Sequence, residues 1–327
     1  FQQNYTAALP ILKDVIANGV TSGGKKYDLQ ANFFDNFNAE TKNSAECVFA
    51  VQQSVNDNSG GSNGGWGDVL NFPYNGGPGG CCGFYQPSVS LANSYKVDAS
   101  GLPLLDTWNN SDLKNDQGIN STAAYTPDVT TPVDPRIDYT MGRRGIPYLD
   151  WGLHPGNDWI RDQNNGGPYS PIKNVYFKRQ AGALTDNSFW TSGVTANNYT
   201  FIRFADVLLW AAECEVEVGS LANAVALVNR VRSRMKDNPS KWVKDAAGNN
   251  AANYQIGLYA SFADQATGRK AVRFERKIEL AMEGHRFFDL VRYGTADVEL
   301  NAYIASEKSK RTYLTNATFT KGKNEYF

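Results

Sequence analysis

The sequence predicts a mainly α-helical protein. Tetratricopeptide-like helical hairpins carry a large, irregular, loop-rich domain with few short strands. Three observations carry that expectation. From Arg273 to Gly294, apolar residues recur at helical spacing with charges interleaved. Between Ala205 and Val231, small and apolar residues fall at the offsets of a roughly 34-residue hairpin repeat. From residue 57 to 88 the chain is too rich in glycine for regular structure and too aromatic for a flexible linker.

Residues 1–20 read as one amphipathic helix. Thr6 is its expected N-cap, Leu9, Leu12, Val15 and Ile16 form the apolar stripe, and Gly19 ends it. Pro10 then falls at the fourth helical position, where a missing N–H costs little. A short helix with an apolar stripe needs a neighbour, so a lost hairpin partner upstream is expected. Residues 27–53 read as a loop, short helices around Phe33 to Phe37, and a strand-like run CVFAVQQ from Cys47. The stretch 57–88 carries Trp66, Phe72, Tyr74, Phe84 and Tyr85. These rings stay exposed unless the loop packs on the body or on a ligand. Ser88 caps a short helix over 88–97. Residues 101–198 are mostly irregular and hold Trp108, Trp151, Trp159 and Trp190. They have turn signals at Asp134-Pro135 and Gly166-Gly167-Pro168 and a short strand at Asn174 to Lys178.

Helices then return. Ala205, Leu208, Ala212, Glu215, Gly219, Ala224, Val228 and Val231 occupy hairpin positions, and Ala212, Gly219 and Ala224 allow close approach. Ala8, Leu12 and Val15 have the spacing of the second helix of such a unit. A polar excursion over 236–262 with Trp242 precedes a helix beginning near Gly268, and the tail from Tyr303 reads as irregular. The expected division is a helical remnant at 1–20, a loop-rich domain at 21–198 and a helical region at 199–327.

In the stretch Arg273 to Gly294, Glu279/Glu283, Glu283/Arg286, Arg286/Asp289 and Asp289/Arg292 lie three or four apart and stack along the helix. Charges this close to Ile278, Leu280, Phe287 and Leu290 are buried only as paired, hydrogen-bonded sets. The set reads as a structural ladder rather than a catalytic one. Every acid has a base one turn away, and none is left to act as a general acid. Arg203, one turn before Asp206, reads as a structural pair in the same way.

The formal net charge of −1 argues against a nucleic-acid partner, which requires a basic face. No run of about 18 apolar residues is present to span a membrane as a helix. The chain opens on Phe1 without a signal peptide, so it reads as mature or internal sequence. Cys47 and Cys214 are lone and expected to be buried. The adjacent Cys81 and Cys82 suit neither an ordinary disulfide nor a zinc site. Two histidines weaken any metallo-enzyme or histidine-base proposal. A phosphate loop, a dinucleotide fingerprint, G-x-S-x-G and H-E-x-x-H are all missing, and each absence removes an enzyme class.

The stretch ERKIELAMEGHRFFDLVRYG, Glu275 to Gly294, closely resembles the signature of the SusD/RagB family, the glycan-binding lipoproteins of Bacteroidetes-type outer membranes. Tyr199 to Glu213 (YTFIRFADVLLWAAE) resembles a second family signature. Asp134-Pro135-Arg136 and Gly145 to Gly152 look like segments of one of its subfamilies. The resemblance implies binding and import, not catalysis. The expected role is capture of an oligosaccharide or polysaccharide on the outer surface of the outer membrane, for a SusC-like TonB-dependent transporter docked on the helical side. It also implies a lipidated cysteine near the family's start, a helical half before residue 1, and a closing segment after Lys321 to Phe327.

Indole and phenol faces stack on pyranose rings, while neighbouring Asn, Asp, Arg and Gln bond the hydroxyls. Trp66, Tyr74, Tyr85 and Trp108 rank first as glycan-binding candidates, because the family's ligand contacts tend to come from loops near this part of the chain. Trp151 and Trp159 follow, in the segment Asp150 to Asp162. That segment has oxygens enough for Ca²⁺ but lacks the D-x-[DN]-x-[DN]-G loop, so no metal is assigned, and no cofactor either. Two alternatives stay open. One is a protein-binding tetratricopeptide scaffold without a sugar site. The other is a carbohydrate-active enzyme, which needs two carboxylates roughly 5–9 Å apart across a sugar.

Overall fold

Asn4 starts the first helix, its side-chain oxygen accepting the Ala7 N–H at 3.1 Å. Helix α1 (Tyr5–Asn18) therefore begins before the cap expected at Thr6, and Pro10 lies in its interior. The computed structural model describes residues 3–188, 190–191, 193–310 and 314–315. A 3₁₀ turn at Phe33–Phe37 leads to β1 (Cys47–Val51). One helical turn, α2 (Trp66–Val69), interrupts the glycine-rich stretch expected to be irregular. Ser88 accepts the Leu91 N–H at 3.1 Å and caps α3 (Val89–Asn93).

Helix α4 (Ile137–Thr140) runs into β2 (Met141–Gly142). After α5 (Gln163–Gly166) comes β3 (Ser170–Pro171), antiparallel to β2. The strand expected at Asn174 to Lys178 does not form. Among the described residues no neighbouring strand offers this stretch a ladder, so Val175 and Tyr176 bury their side chains from a turn that ends in a 3₁₀ segment at Lys178–Gln180. Strands β4 (Thr185–Asp186) and β5 (Val194–Thr195) pair, and β6 (Tyr199–Arg203) pairs antiparallel with β1.

Strand β6 feeds directly into α6 (Phe204–Val218), which turns at Gly219 into α7 (Leu221–Lys236). This hairpin is the one the sequence predicts. Leu208, Ala212, Ala224, Val228 and Val231 are all fully buried along its seam. Each Val or Leu so buried contributes about 1.5–3 kcal/mol relative to exposure. The stripe of α1, Leu12, Val15 and Ile16, packs on the same cluster. Asp264 caps α8 (Gln265–Glu279), accepting the Thr267 N–H at 2.7 Å. Helix α8 is shared by two cores. Ala271 and Val272 face the hairpin, and Phe274 and Ile278 face the irregular region around Tyr95, Val133 and Tyr169.

The buried helix expected from Arg273 to Gly294 is two helices. The chain breaks at 280–284, where Met282 and Gly284 take left-handed backbone (φ 65° and 85°), before α9 (His285–Tyr293). Gly284 adopts this conformation without steric cost. The last helix of the described residues, α10 (Ala296–Glu307), runs through Tyr303, where an irregular run was expected, and buries Ala296 and Ile304. The expected readings for 316–327 lie outside the described residues.

The break redirects the charge ladder. Glu283 turns away from Arg286 toward Arg203 and Lys173, while Arg286 pairs with Glu299. Of the pairs expected along the helix, Asp289 and Arg292 meet, at 3.1 Å. The main set instead links distant segments. Arg136 binds Asp134, Glu275 (2.6 Å) and Glu279 (2.8 Å), and Arg232 binds Glu275 (2.8 Å). Arg203 and Arg234 share Glu46 and Glu279. Arg203 does not pair with Asp206 through its side chain, since only its backbone N–H reaches that carboxylate, at 3.1 Å. Asp206 faces Arg276 instead. Four arginines and Lys173 face five carboxylates, so this buried set is neutral. Burial opposes the charged form of Glu279. The Arg234, Arg203 and Arg136 guanidinia outweigh it and hold the carboxyl well below its ordinary range.

Candidate glycan-binding cleft

The chain between Phe72 and Phe84 is a series of turns held by backbone hydrogen bonds. Tyr74 donates its N–H to the Trp159 carbonyl at 2.9 Å, Gly83 to the Phe72 carbonyl at 2.8 Å, and Phe84 to the Leu70 carbonyl at 3.1 Å. Cys81 and Cys82 are joined to each other as a disulfide between neighbouring residues, although adjacent cysteines do not suit an ordinary disulfide. Gly79 is required where it stands. Its φ is +73°, and an added Cβ would lie 2.1 Å from the Phe72 ring.

Arg161 completes the arrangement. Its Nη1 donates to the Cys82 carbonyl at 2.9 Å, and its guanidinium lies 5.4 Å from the Tyr74 ring centroid and 4.1 Å from that of Phe84. Tyr74 and Phe84 remain 37% and 58% exposed, so the cation fixes two rings that still face solvent. Beside them opens a polar cleft of about 510 Å³. Asn75, Asn120, Asn157, Asn164, Asp158 and Asp162 line it with Tyr74 and Arg161. Its walls are pinned by α5, whose first turn is capped by Asp162 (2.8 Å to the Asn164 N–H), and by Gln163, which accepts the Gly118 N–H at 2.6 Å. Amides both donate and accept, carboxylates accept and guanidinium donates. Together with a ring face, this inventory suits a polyhydroxylated ligand.

The six sequence-predicted ring residues divide among several places. Tyr74 and Trp159 are brought together through their backbones. The Trp159 ring itself turns inward, onto Tyr148 and His154. Trp151 likewise packs edge-on against Tyr176 and donates its indole N–H to the Tyr176 carbonyl. Trp66 is half-exposed, its indole N–H donating to the Gly61 and Ser62 carbonyls. Tyr85 lines a smaller cleft of about 180 Å³ with Tyr199 and Asp68. There, burial pushes the Asp68 carboxyl up to about 7 against a hydrogen bond from Asn174, and pulls the Lys173 amine down to about 8 against Glu283. Trp108 lines a third cleft, on α8.

Phe84 and Arg161 join the site without having been singled out as ligand residues. Their meeting depends on a contact between two loops that no local pattern encodes. Of the acids in the Asp150 to Asp162 segment, Asp158 and Asp162 line the same cleft and Asp150 lies apart. Asp150 accepts from the Lys178 and Arg179 N–H groups, and Asp162 caps α5. Among the described residues no group of three or more His, Cys, Asp or Glu side chains is placed to hold a metal. His154 is buried, its Nε2 bonded to the Ser170 hydroxyl at 2.8 Å, and burial holds its pKa down near about 3. Among the described residues no helix is long and apolar enough to cross a membrane.

Fold and cleft together define a helical frame that presents a loop-built cleft of rings and amides. The chain belongs to the SusD family, whose sequence model matches residues 45–325. Over 99 residues it is 39% identical to SusD-like protein P25 of Formosa agariphila, a match covering 30% of this chain and 16% of that one. SusD-like protein P2 of the same organism is 35% identical over 118 residues, covering 36% and 20%. The solved structure of a SusD-like carbohydrate binding protein from Bacteroides fragilis shares the fold, with a TM-score of 0.55 at 21% identity. That match covers 92% of this chain and 50% of the other, so the chain spans about half the length of this solved relative.

Proposed function

We propose that the protein captures an oligosaccharide at the cell surface without cleaving it and passes it to a SusC-like TonB-dependent transporter of the outer membrane. The observation that carries the reading is the pair of exposed rings, Tyr74 and Phe84, clamped on Arg161, with Tyr74 and Arg161 lining an amide-rimmed cleft. Family membership and the carbohydrate-binding relative of the same fold support it. In this reading the sugar's apolar face lies on the Tyr74 ring, and its hydroxyls bond Asn and Asp side chains of the rim. The helical side, where α1 packs on α6, is then left for the transporter. Non-catalytic action fits a histidine, His154, that is buried and neutral, and an acid, Asp162, that serves as a cap.

The test is affinity electrophoresis of the protein through a panel of polysaccharides, run beside a reducing-sugar assay. Retardation without new reducing ends is expected. Released product contradicts capture, and neither retardation nor product favours a protein-binding scaffold.

A further inference from the structure

Helix α8 carries five cations, of which Arg276 is buried and the others are exposed or half-buried, and most have an acid. Arg269 binds Glu217 at 2.6 Å, Lys270 binds Asp106, and Arg276 binds Asp289 at 3.0 Å. Arg273 and Lys277 do not. They lie one turn apart on the same face, where like charges repel, and among the described residues neither makes an ion pair or a hydrogen bond. Each rests on a ring instead. The Arg273 guanidinium is 3.9 Å from the Tyr293 ring centroid, and the Lys277 amine is 3.3 Å from that of Trp108.

Both residues open into one cleft of about 340 Å³, bounded by α8, α9, the start of α10 and the Leu105–Trp108 turn. Two buried polar groups there have no partner among the described residues: the Arg273 Nε and the Tyr293 hydroxyl, the latter on a side chain 8% exposed. A buried donor left unmatched is costly and calls for a ligand. Among the described residues Glu299 is the one acid lining the cleft, and it is engaged by Arg286 at 3.4 Å. Burial, and then Arg286, push the Lys277 amine well below its ordinary range, while Glu299 opposes them weakly. An anion entering the cleft removes that penalty.

We propose that this cleft binds the anionic substituent of a sugar, a carboxylate or a sulfate, with Arg273 as a fork, Lys277 as a point charge and the Tyr293 hydroxyl as a third donor. The anion site stands on its own geometry, and only the sugar that bears the anion rests on the capture reading above. It is distinct from the Tyr74 cleft, which among the described residues carries a single cation beside its amides and acids.

The experiment measures affinity of the protein for a polyuronate, a sulfated polysaccharide and a neutral polysaccharide at physiological ionic strength. It compares the unmodified protein with the Arg273→Gln/Lys277→Gln double variant, with Tyr293→Phe, and with a Lys25→Gln/Lys26→Gln control on an exposed turn. Losing two charge-assisted contacts predicts binding of the acidic polymer at least about tenfold weaker in the double variant. A smaller loss is expected in Tyr293→Phe, with neutral-polymer binding and the control unchanged. Preference for polyuronate assigns the carboxylate, and preference for the sulfated polymer assigns the sulfate. Acidic polymers that bind no better than neutral ones, or that bind the double variant and the control alike, overturn the proposal. Neutral-polymer binding that survives in that case leaves the capture reading intact. Absence of binding to every polymer overturns both.

Discussion

Arg203 and Glu279 meet at 3.0 Å, Nη1 to Oε1, across 76 residues of sequence. The contact ties the junction of β6 and α6 to the C-terminal end of α8. With Arg136 and Arg234 on the same carboxylate, it makes Glu279 the point where the helical hairpin, α8 and the loop region are joined. The loops that bear the cleft hang from this frame.

Replacing Glu279 with Gln keeps the volume and removes the charge. Three buried guanidinia then lose their shared anion. Breaking a buried set in this way costs about 3–5 kcal/mol. The chemical denaturation midpoint should fall accordingly, with the slope unchanged. A change below about 1 kcal/mol, the scale of an exposed pair, would show that the network is not what joins the parts.

Asp68 predicts the pH dependence. Its carboxyl titrates near about 7 in the fold, above the ordinary 3.8, because it is buried. A raised acid pKa means that the folded state holds the proton more tightly than the unfolded one. Stability from this group is therefore full below about pH 4 and is lost as pH rises through 7, by at most about 4 kcal/mol. Asp116, raised to about 6 by burial, acts in the same sense. Glu279 and the buried His154, both held low, act in the opposite sense and lose their contributions as pH falls, so the Asp68 effect is read as the difference between variant and parent. Asp68→Asn should melt higher than the parent at pH 8, and its advantage over the parent should grow as pH rises from 4 to 8. Equal melting temperatures at pH 8 would contradict the assignment.

Much of the frame is legible in the sequence because helix periodicity and small-residue spacing are local signals. The α6–α7 hairpin follows from Ala212, Gly219 and Ala224, and the need for a buried, paired charge set follows from acids lying among large apolar residues. The partners of those charges are not legible. The Met282–Gly284 turn swings Glu283 onto Arg203, which no three- or four-residue spacing foretells. The cleft is only half legible. Tyr74 is an aromatic residue in a glycine-rich loop and draws notice. Arg161, more than eighty residues away, reaches it only because Tyr74 and Trp159 join their backbones.

Gly83 couples fold to cleft. Its φ is +70°, and an added Cβ would stand 2.9 Å from the Cβ atoms of both Tyr74 and Arg161. Gly83→Ala should cost about 1–2 kcal/mol in backbone strain alone. It should also weaken glycan binding although every ligand-facing side chain is retained. Thermal melting and a binding titration on one sample check both effects. Unchanged affinity in a folded variant would mean that the spacing of Tyr74 and Arg161 does not matter to the ligand.

Whether Tyr74 and Phe84 hold sugar is tested most directly by calorimetric titration with an oligosaccharide from whichever polysaccharide retards the protein. The unmodified protein and the Tyr74→Ala/Phe84→Ala variant are titrated side by side, with reducing ends assayed before and after. Removing two anchoring rings predicts a Kd at least about tenfold higher, with no new reducing ends in either sample. An unchanged Kd in the folded variant, or cleavage of the oligosaccharide by the protein, would contradict capture at this cleft.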